Sequence, residues 1–555
     1  MSAVITRAVS RSPWPSAWTV VAAATALVVM TPILTVLGHL LLPGTESWQH
    51  LKETVLGTYL HNSLLLAAGV AVGAGVIGVV TAWLTTMYRF PGHRWFAWAL
   101  LLPLAFPAYI LAYAYTGLLE PAGPVQGWIR SLFGVGYGDY WFPEIRSLGG
   151  AVAMLSLVLY PYVYLLARAA FLDQSVCALE ASRSLGCGPW RSFFSVALPL
   201  ARPAIVVGVS LALMETLADF GTVDYFGVST FTTGIFRTWY GLYDEVAAAQ
   251  LAAVLMLFVA VLLGLERWSR RRARFHQATH RHRVLPLQPL SPFFAGLASL
   301  ACLLPVLFGF LVPFLQLGLW VLQTREQVFD GEFLALAYNT FFLAGSAAIL
   351  TLLVALILGY GQRLQPTRWL RGLVQVAGMG YAIPGMVIAI GVLIPFGWLD
   401  NTIDQWMREY VGFGPGLLFS GTLFILLFAY LVRFLTISLQ TVEAGLGRIR
   451  PAMEEAAWSL GESRLGTLRR VHLPLMRGTL LTALLIVFVD VLKELPATLV
   501  LRPFNFNTLA VRAYELASDE RLMDAAAPAL TIVMVGIVPV VLLSLNIAHS
   551  RVRHE

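Results

Sequence analysis

The sequence predicts an all-α polytopic membrane protein with about 12 transmembrane helices, built as two homologous six-helix halves related by a parallel pseudo-two-fold. Three observations predict it. Of 555 residues, 58% are hydrophobic and only 12% charged, with a mean hydropathy of +0.75. A soluble domain carries about a quarter charged residues, so this chain has too little polar surface to be one. Apolar runs of roughly 20 residues, enough to cross a bilayer as helices, recur along the whole length. Finally, a polar arginine-bearing stretch occurs twice, as EASRSLGCGPWRSFFSVALPLARP from Glu180 to Pro203 and as EAAWSLGESRLGTLRRVHLPLMRG from Glu455 to Gly478.

In chain order, the first half holds spans at about Trp18–Leu42, Asn62–Leu84, Trp95–Leu119, Leu148–Ala170, Pro203–Val223 and Val246–Leu265. The second half holds them at about Phe293–Val321, Leu336–Tyr360, Val374–Trp398, Leu417–Leu439, Thr479–Leu499 and Ala525–Ile547. The first span follows Arg7 and Arg11 as a signal peptide would. Its apolar core is too long for one and no A-x-A site follows, so it reads as a retained span. The halves are then residues 1–265, with a polar loop at about 173–202, and 291–555, with its counterpart at about 442–477. Residues 266–290 form a basic linker. His276, His280 and His282 lie in that linker, but its arginines would repel a metal cation and favour anionic headgroups.

Charge sets the orientation. Nine cations fall on one side: Lys52, Arg130, Arg146, Arg237, Arg325, Arg408, Arg502, Arg512 and Arg521. Lys493 lies inside a span. The rest of the 37 Lys and Arg gather on the other side, counting Arg168 and Arg433 at the ends of their spans. That side holds both polar loops and both termini, and the bias predicts that it is cytoplasmic. The net charge of +7 therefore reports topology, and nucleic-acid binding is not the reading. Cys177, Cys187 and Cys302 show no paired spacing and read as inert small residues.

The repeat extends beyond the loop. At an offset of 275, Glu180, Ala181, Gly186, Leu198 and Pro199 fall on Glu455, Ala456, Gly461, Leu473 and Pro474. Glu215 falls on Asp490 and Asp219 on Glu494, and the same offset pairs Phe231 with Phe506, Thr233 with Thr508, Arg237 with Arg512, Asp244 with Asp519 and Glu245 with Glu520. Asn62 matches Asn339 and Pro107 matches Pro384 at an offset of 277. An even number of spans per half makes the copies parallel, with their symmetry axis along the membrane normal.

Charged groups at bilayer depth cost a few kcal/mol and face a bundle interior or a water-filled cavity. Glu215 and Asp219, four apart on one helical face, with Asp490 and Glu494 in the second half, are candidate pathway residues for a hard cation, which prefers oxygen ligands. Lys493 would partly neutralise them. The alternative is that Lys493 bridges Asp490 or Glu494 while Glu215 and Asp219 brace a broken helix. Whether a metal ion is held here is left open. Pro107 and Pro384 sit mid-span and predict kinks, with Pro161, Pro395 and Pro496 as further interruptions. Tyr109, Tyr113 and Tyr115 lie near one kink, either facing a passing ion or serving packing and the membrane interface. The opposite-face loops Glu120–Ser147 and Leu399–Pro415 carry Trp128, Tyr137, Tyr140, Trp141, Asp400, Asp404, Trp406 and Arg408, which suit either a docking protein or the lipid surface. Arg237 with Asp244 and Glu245, and Arg512 with Asp519 and Glu520, are expected to pin their loops by ion pairs.

The doubled pattern of Glu-Ala-Ala/Ser, a glycine five residues after the first alanine, and Leu-Pro twelve further on resembles the EAA loop of bacterial ABC importer permeases; Ser182 replaces the second alanine of the first copy. The segments Met214–Trp239 and Asp490–Glu520 are similar to fused permeases for ferric iron, with thiamine permeases of the same layout as the nearest competitor. The resemblance implies the type I ABC importer permease fold, and a bacterial inner-membrane location. It also implies that each loop forms a short coupling helix docking on an ATPase subunit dimer. Glu180, Ala181, Gly186, Leu198, Pro199 and their second-half counterparts would form that contact, and a periplasmic substrate-binding protein would deliver the cargo. No GxxxxGK[ST] occurs in the sequence, so ATP and its magnesium are expected on the partner and no cofactor on this chain. The alternatives are a headgroup-bound amphipathic loop, a secondary transporter with parallel repeats, and an intramembrane enzyme. Two long cytosolic loops argue against the transporter; the absence of HExxH and GxSxG from the spans argues against the enzyme.

Overall fold

The computed structural model describes residues 17–173, 188–271, 287–328 and 330–552. Eleven helices among them are long and apolar enough to cross a membrane, and a pair bent by 92° brings the number to twelve if it counts as one crossing. In the first half they are α1 (Ala17–Gly38), α2 (Leu56–Met87), α3 (Ala108–Leu119, in the second arm of the bent pair), α4 (Leu148–Asp173), α5 (Leu198–Ala218) and α6 (Glu245–Arg271). The second half begins with α7 (Pro292–Val306), which continues through a π-turn at Leu307–Leu311 into Val312–Val328. It goes on with α8 (Gly331–Leu364), α9 (Gly385–Tyr410), α10 (Leu423–Gly447), α11 (Leu473–Leu492) and α12 (Leu522–Val552).

The two mid-span prolines do more than kink their helices. Pro107 caps the N-terminus of α3 and Pro384 that of α9, each in extended backbone (ψ 139° and 140°) after a short 3₁₀ turn at Leu102–Ala105 or Gly380–Ala382. Proline lacks the N–H that a helix interior requires, whereas a helix start leaves such donors unused. The third and ninth expected spans are therefore broken rather than bent. Pro161 and Pro395, by contrast, lie inside the uninterrupted helices α4 and α9. The fifth and eleventh spans stop early, at Ala218 and Leu492, and each is followed by a short helix, Gly221–Tyr225 or Pro496–Leu501.

Packing does not follow the division of the chain into halves. One buried apolar cluster joins α8 to α11 with α1 and α6; the other joins α2 to α5 with α7 and α12. Small residues allow these crossings, as is usual where lipid supplies no hydrophobic drive between helices. A Cβ on Gly391 of α9 would stand 2.5 Å from the carbonyl oxygen of Pro32 in α1, and one on Gly536 of α12 would stand 2.8 Å from that of Ala105. The outer helices of each half thus complete the core of the other. A parallel pairing of Tyr88–Arg89 with Gln288–Pro289 adds a backbone tie between the halves.

Candidate functional site

The ends of α5 and α11 are built alike. Asp219 Oδ1 accepts the amides of Thr222 (3.1 Å) and Val223 (3.2 Å), and Oδ2 accepts the Thr222 hydroxyl at 2.9 Å. Glu494 repeats this, accepting the amides of Ala497 (3.0 Å) and Thr498 (3.1 Å) and the Thr498 hydroxyl (2.9 Å). Each carboxylate satisfies the free donors that open a helix, and so holds the short helix turned away from its span. Lys493 Nζ lies 2.9 Å from Asp490 Oδ1. Glu215 lies beside the hydroxyl of Tyr381, a residue of the other half.

All five charged residues singled out from the sequence line one cavity of about 120 Å³ between the halves, with Tyr109, Tyr162 and Tyr381. They share a cavity but not a point. Among the described residues no three His, Cys, Asp or Glu side chains are placed to hold a metal ion. Two of the four carboxylates are occupied as helix caps and a third by Lys493, which is the bracing arrangement and not a ready-made ligand set. The cavity also holds Arg433, which the charge reading put at the end of its span. It lies near the middle of the 25-residue helix α10 and is 8% exposed. Hydropathy conceals it because a single cation scarcely lowers the mean of so apolar a run. The tyrosines divide. Tyr109 lines the cavity, Tyr113 packs on Tyr225 with ring centroids 4.5 Å apart, and the Tyr115 hydroxyl donates to the Phe308 carbonyl at 2.6 Å. All three are buried, so none serves the interface.

Beyond the short helices the repeat shifts register. Asn62 Nδ2 donates to the carbonyl of Ser229 (2.9 Å) and Asn339 Nδ2 to that of Asn507 (3.4 Å). The next residues, Thr230 and Thr508, cap the helices Phe231–Gly241 and Leu509–Ser518. Thr230, not Thr233, is therefore the counterpart of Thr508, because the stretch from Glu494 to Thr508 is three residues longer than that from Asp219 to Thr230. The pairings of Phe231, Arg237, Asp244 and Glu245 at the constant offset fail with it. Nor do those charges pin their loops as expected. Arg237 lies 3.9 Å from Asp224, Arg512 contacts Glu332 (3.4 Å) and Glu515 (3.8 Å), and Asp244 accepts the Ala247 amide at 2.9 Å to start α6.

The halves also grip one another on the face opposite the polar loops. The Tyr514 hydroxyl donates to Asp224 Oδ2 (2.6 Å) and the Tyr240 hydroxyl to the Val500 carbonyl (3.1 Å). Arg146 reaches both Glu120 (2.6 Å) and Glu520 (2.9 Å) and lies over the Tyr225 ring. Near this face Trp128, in the helix Pro124–Phe133, Trp406, in α9, and the loop residues Tyr137 and Trp141 are exposed; the expected loop Leu399–Pro415 is helical as far as Tyr410. Asp400 is instead fully buried, accepting the amides of Leu418, Phe419 and Ser420. Asp404 accepts the Gly416 amide and Arg408 Nε, so both aspartates, on α9, hold the segment that follows that helix rather than face a partner.

Of the two polar loops, Glu180, Ala181 and Gly186 lie outside the described residues, as do the linker histidines; Leu198 and Pro199 open α5. The second loop forms the helix Pro451–Ser459, ended by Gly461 at φ +87°, a left-handed turn that glycine adopts without strain. Glu455 and Ala456 face outward, with Trp458 and Leu460 exposed beside them. Leu473 and Pro474 open α11. The neighbouring Glu454, which sequence reasoning passed over, is buried and ties the helix down. It meets Arg363 at the end of α8 and His472 Nε2 at 2.8 Å, while Arg363 Nη2 donates to the Ile449 carbonyl at 2.7 Å.

The chain matches the family described as "Binding-protein-dependent transport system inner membrane component" over residues 74–275 and again over residues 351–554. It is 28% identical over 514 residues to the Fe(3+)-transport system permease protein FbpB 2 of Haemophilus influenzae, covering 90% of this chain and 92% of that protein. It is 22% identical to the probable ABC transporter permease protein y4fN of Sinorhizobium fredii, covering 89% and 88%. The molybdenum transport system permease protein ModB of Escherichia coli is 29% identical over 203 residues, 36% of this chain and 86% of that one. Two six-helix repeats, each turning a short capped helix into a shared cavity, and a family match in both place this chain among the binding-protein-dependent transport system inner membrane components, as a permease with the family's domain present twice.

Proposed function

We propose that this permease is the membrane subunit of an ATP-driven importer that carries ferric iron, delivered by a periplasmic binding protein, into the cytoplasm by alternating access. The observation that supports the cargo is similarity to a ferric permease along 90% of the chain, through both halves. The sulfate and molybdenum permeases that also resemble it match only about a third of its length, 32% and 36%, and so support the class and not the cargo. Thiamine remains the competing cargo. On this reading the face bearing Pro451–Ser459, with both termini, is cytoplasmic in a bacterial inner membrane. The exposed Glu455, Ala456, Trp458 and Leu460 form one contact for an ATPase dimer that holds ATP and magnesium, and the Glu180 loop forms the other. The binding protein docks on the opposite face, around Trp128, Trp141 and Trp406.

The mechanism follows from the fold. The inter-half grip of Arg146, Tyr514 and Tyr240 keeps the outer face shut. Closure of the ATPase dimer on the two loops moves α11, which continues from the second loop, and its first-half counterpart α5. Those helices carry the capped turns at Asp219 and Glu494, so their motion opens the grip and exposes the cavity to the binding protein. Glu215, Asp219, Asp490, Lys493 and Glu494 line that passage. Cells carrying the chain with its ATPase and binding protein should accumulate radiolabelled ferric iron and lose that uptake when Glu455 and Gly461 are replaced. Equal iron uptake without the chain, or uptake of thiamine in its place, would overturn the cargo.

A further inference from the structure

Among the described side chains lining the cavity between the halves, the buried polar atoms without a hydrogen-bond partner belong to Arg433 and Tyr109. Four carboxylates face it, but Asp219 and Glu494 each accept three donors of the short helices, Asp490 is held by Lys493, and Glu215 sits beside the Tyr381 hydroxyl. Arg433 differs. Its Nε and Nη1 are buried without a hydrogen-bond partner among the described residues, and so is the Tyr109 hydroxyl. A buried guanidinium donor without an acceptor costs more than a lost neutral hydrogen bond. The guanidinium is also placed awkwardly. A Cβ on Gly385, the first residue of α9, would lie 2.6 Å from Arg433 Nη1 and equally 2.6 Å from Glu494 Oε1. Arg433 therefore stands at the positive end of a 26-residue helix whose first amides have no acceptor within it. Glu494 is near but turned to its own helix, and forms no ion pair with Arg433 among the described residues.

A cation beside a helix N-terminus is unfavourable unless an anion lies between them, and the pair then makes an anion receptor. From this we infer that the cavity is a binding site for a small inorganic oxyanion, held by Arg433 and the first amides of α9 with the Tyr109 hydroxyl as a further donor. The about 120 Å³ available is several times what a single water needs, room for a tetrahedral anion. Gly385 is required because a methyl group there would collide with Arg433 Nη1 and Glu494 Oε1 and push the guanidinium out of place. The assignment does not depend on the cargo or on ATP, since it concerns the resting cavity alone.

The test is equilibrium binding of radiolabelled phosphate, with sulfate as competitor, to the full chain in phosphatidylcholine nanodiscs, with no iron, binding protein or ATPase present. Wild type should bind saturably, and its melting temperature should rise in phosphate over chloride at matched ionic strength. Arg433→Gln should weaken binding by about tenfold or more, as loss of a charge-assisted hydrogen bond does, and Arg433→Lys should restore part of it. Absence of binding by wild type at about 10 mM phosphate, the outcome if water alone satisfies Arg433, would overturn the site. So would unchanged binding by a folded Arg433→Gln chain. If that variant does not fold, Gly385→Ala decides: weakened binding supports the site and unchanged binding overturns it.

Discussion

At the scale of single residues, the acidic side chains of this permease earn their places by holding backbone, and their positions separate roles that the sequence runs together. Asp219 and Glu494 were visible because both interrupt apolar runs at the same repeat position. Bracing a broken helix was one of the two roles left open for Asp219; for Glu494 it was not foreseen, since capping depends on the chain turning directly after the residue. Asp219→Ala or Glu494→Ala should each free a short helix and cost about 1–2 kcal/mol, read as a lower melting temperature of the purified chain; the Thr222→Val and Thr498→Val variants, which remove one donor each, should cost less. Glu454 and Glu455 make a second contrast. Glu455→Ala should leave the melting temperature unchanged and weaken copurification of the ATPase. Glu454→Ala strands Arg363 and His472 and should lower the melting temperature, by the roughly 1–3 kcal/mol of a lost buried partner. Equal effects of the two on stability would refute this division. The charge reading put Arg433 at the end of its span because its helix is apolar enough to absorb one charge, and only the fold shows how deep it lies.

Helices and loops were legible where a pattern repeats over many residues and illegible where one residue changes direction. Hydropathy located every long span. It began the third and ninth too early and carried the fifth and eleventh too far, because the turns at Pro107, Asp219, Pro384 and Glu494 lie within apolar stretches, and it ended the ninth at Trp398 where α9 runs on to Tyr410. The constant offset worked as far as Glu494 and then failed, since the three residues added between Glu494 and Thr508 carry no mark in the hydropathy pattern. Among the connecting elements, the outer-face grip yields its own prediction. Arg146 joins a first-half loop to Glu520, and exposed pairs of this kind contribute up to about 1 kcal/mol. Arg146→Ala should therefore raise ATP turnover of the reconstituted transporter, in the absence of its binding protein, by up to about fivefold. The increase should shrink at high salt, which already weakens the pair. Turnover that stays at the wild-type level in low salt would show that the grip does not restrain opening.

For the molecule as a whole, the twofold repeat and the all-helical class follow from composition and periodicity, while the crossing of α1 and α6 into one core and α7 and α12 into the other does not. Nothing in the sequence distinguishes a helix that packs with its own half from one that packs with the other. The exchange predicts that residues 1–265 alone will not form a stable bundle, whereas coexpression with 291–555 should rescue both fragments, read by protease resistance in membranes. A stable first fragment would contradict the packing.

The exchange of outer helices also bears on biogenesis. The ribosome delivers α1 more than half a chain before α9, the surface that α1 is shaped to meet. The early helix must wait in lipid beside the translocon with its inward face of Ala22, Ala26, Val29 and Val36 uncovered. A product cut short before the second half keeps that face open to lipid, because the second half covers it.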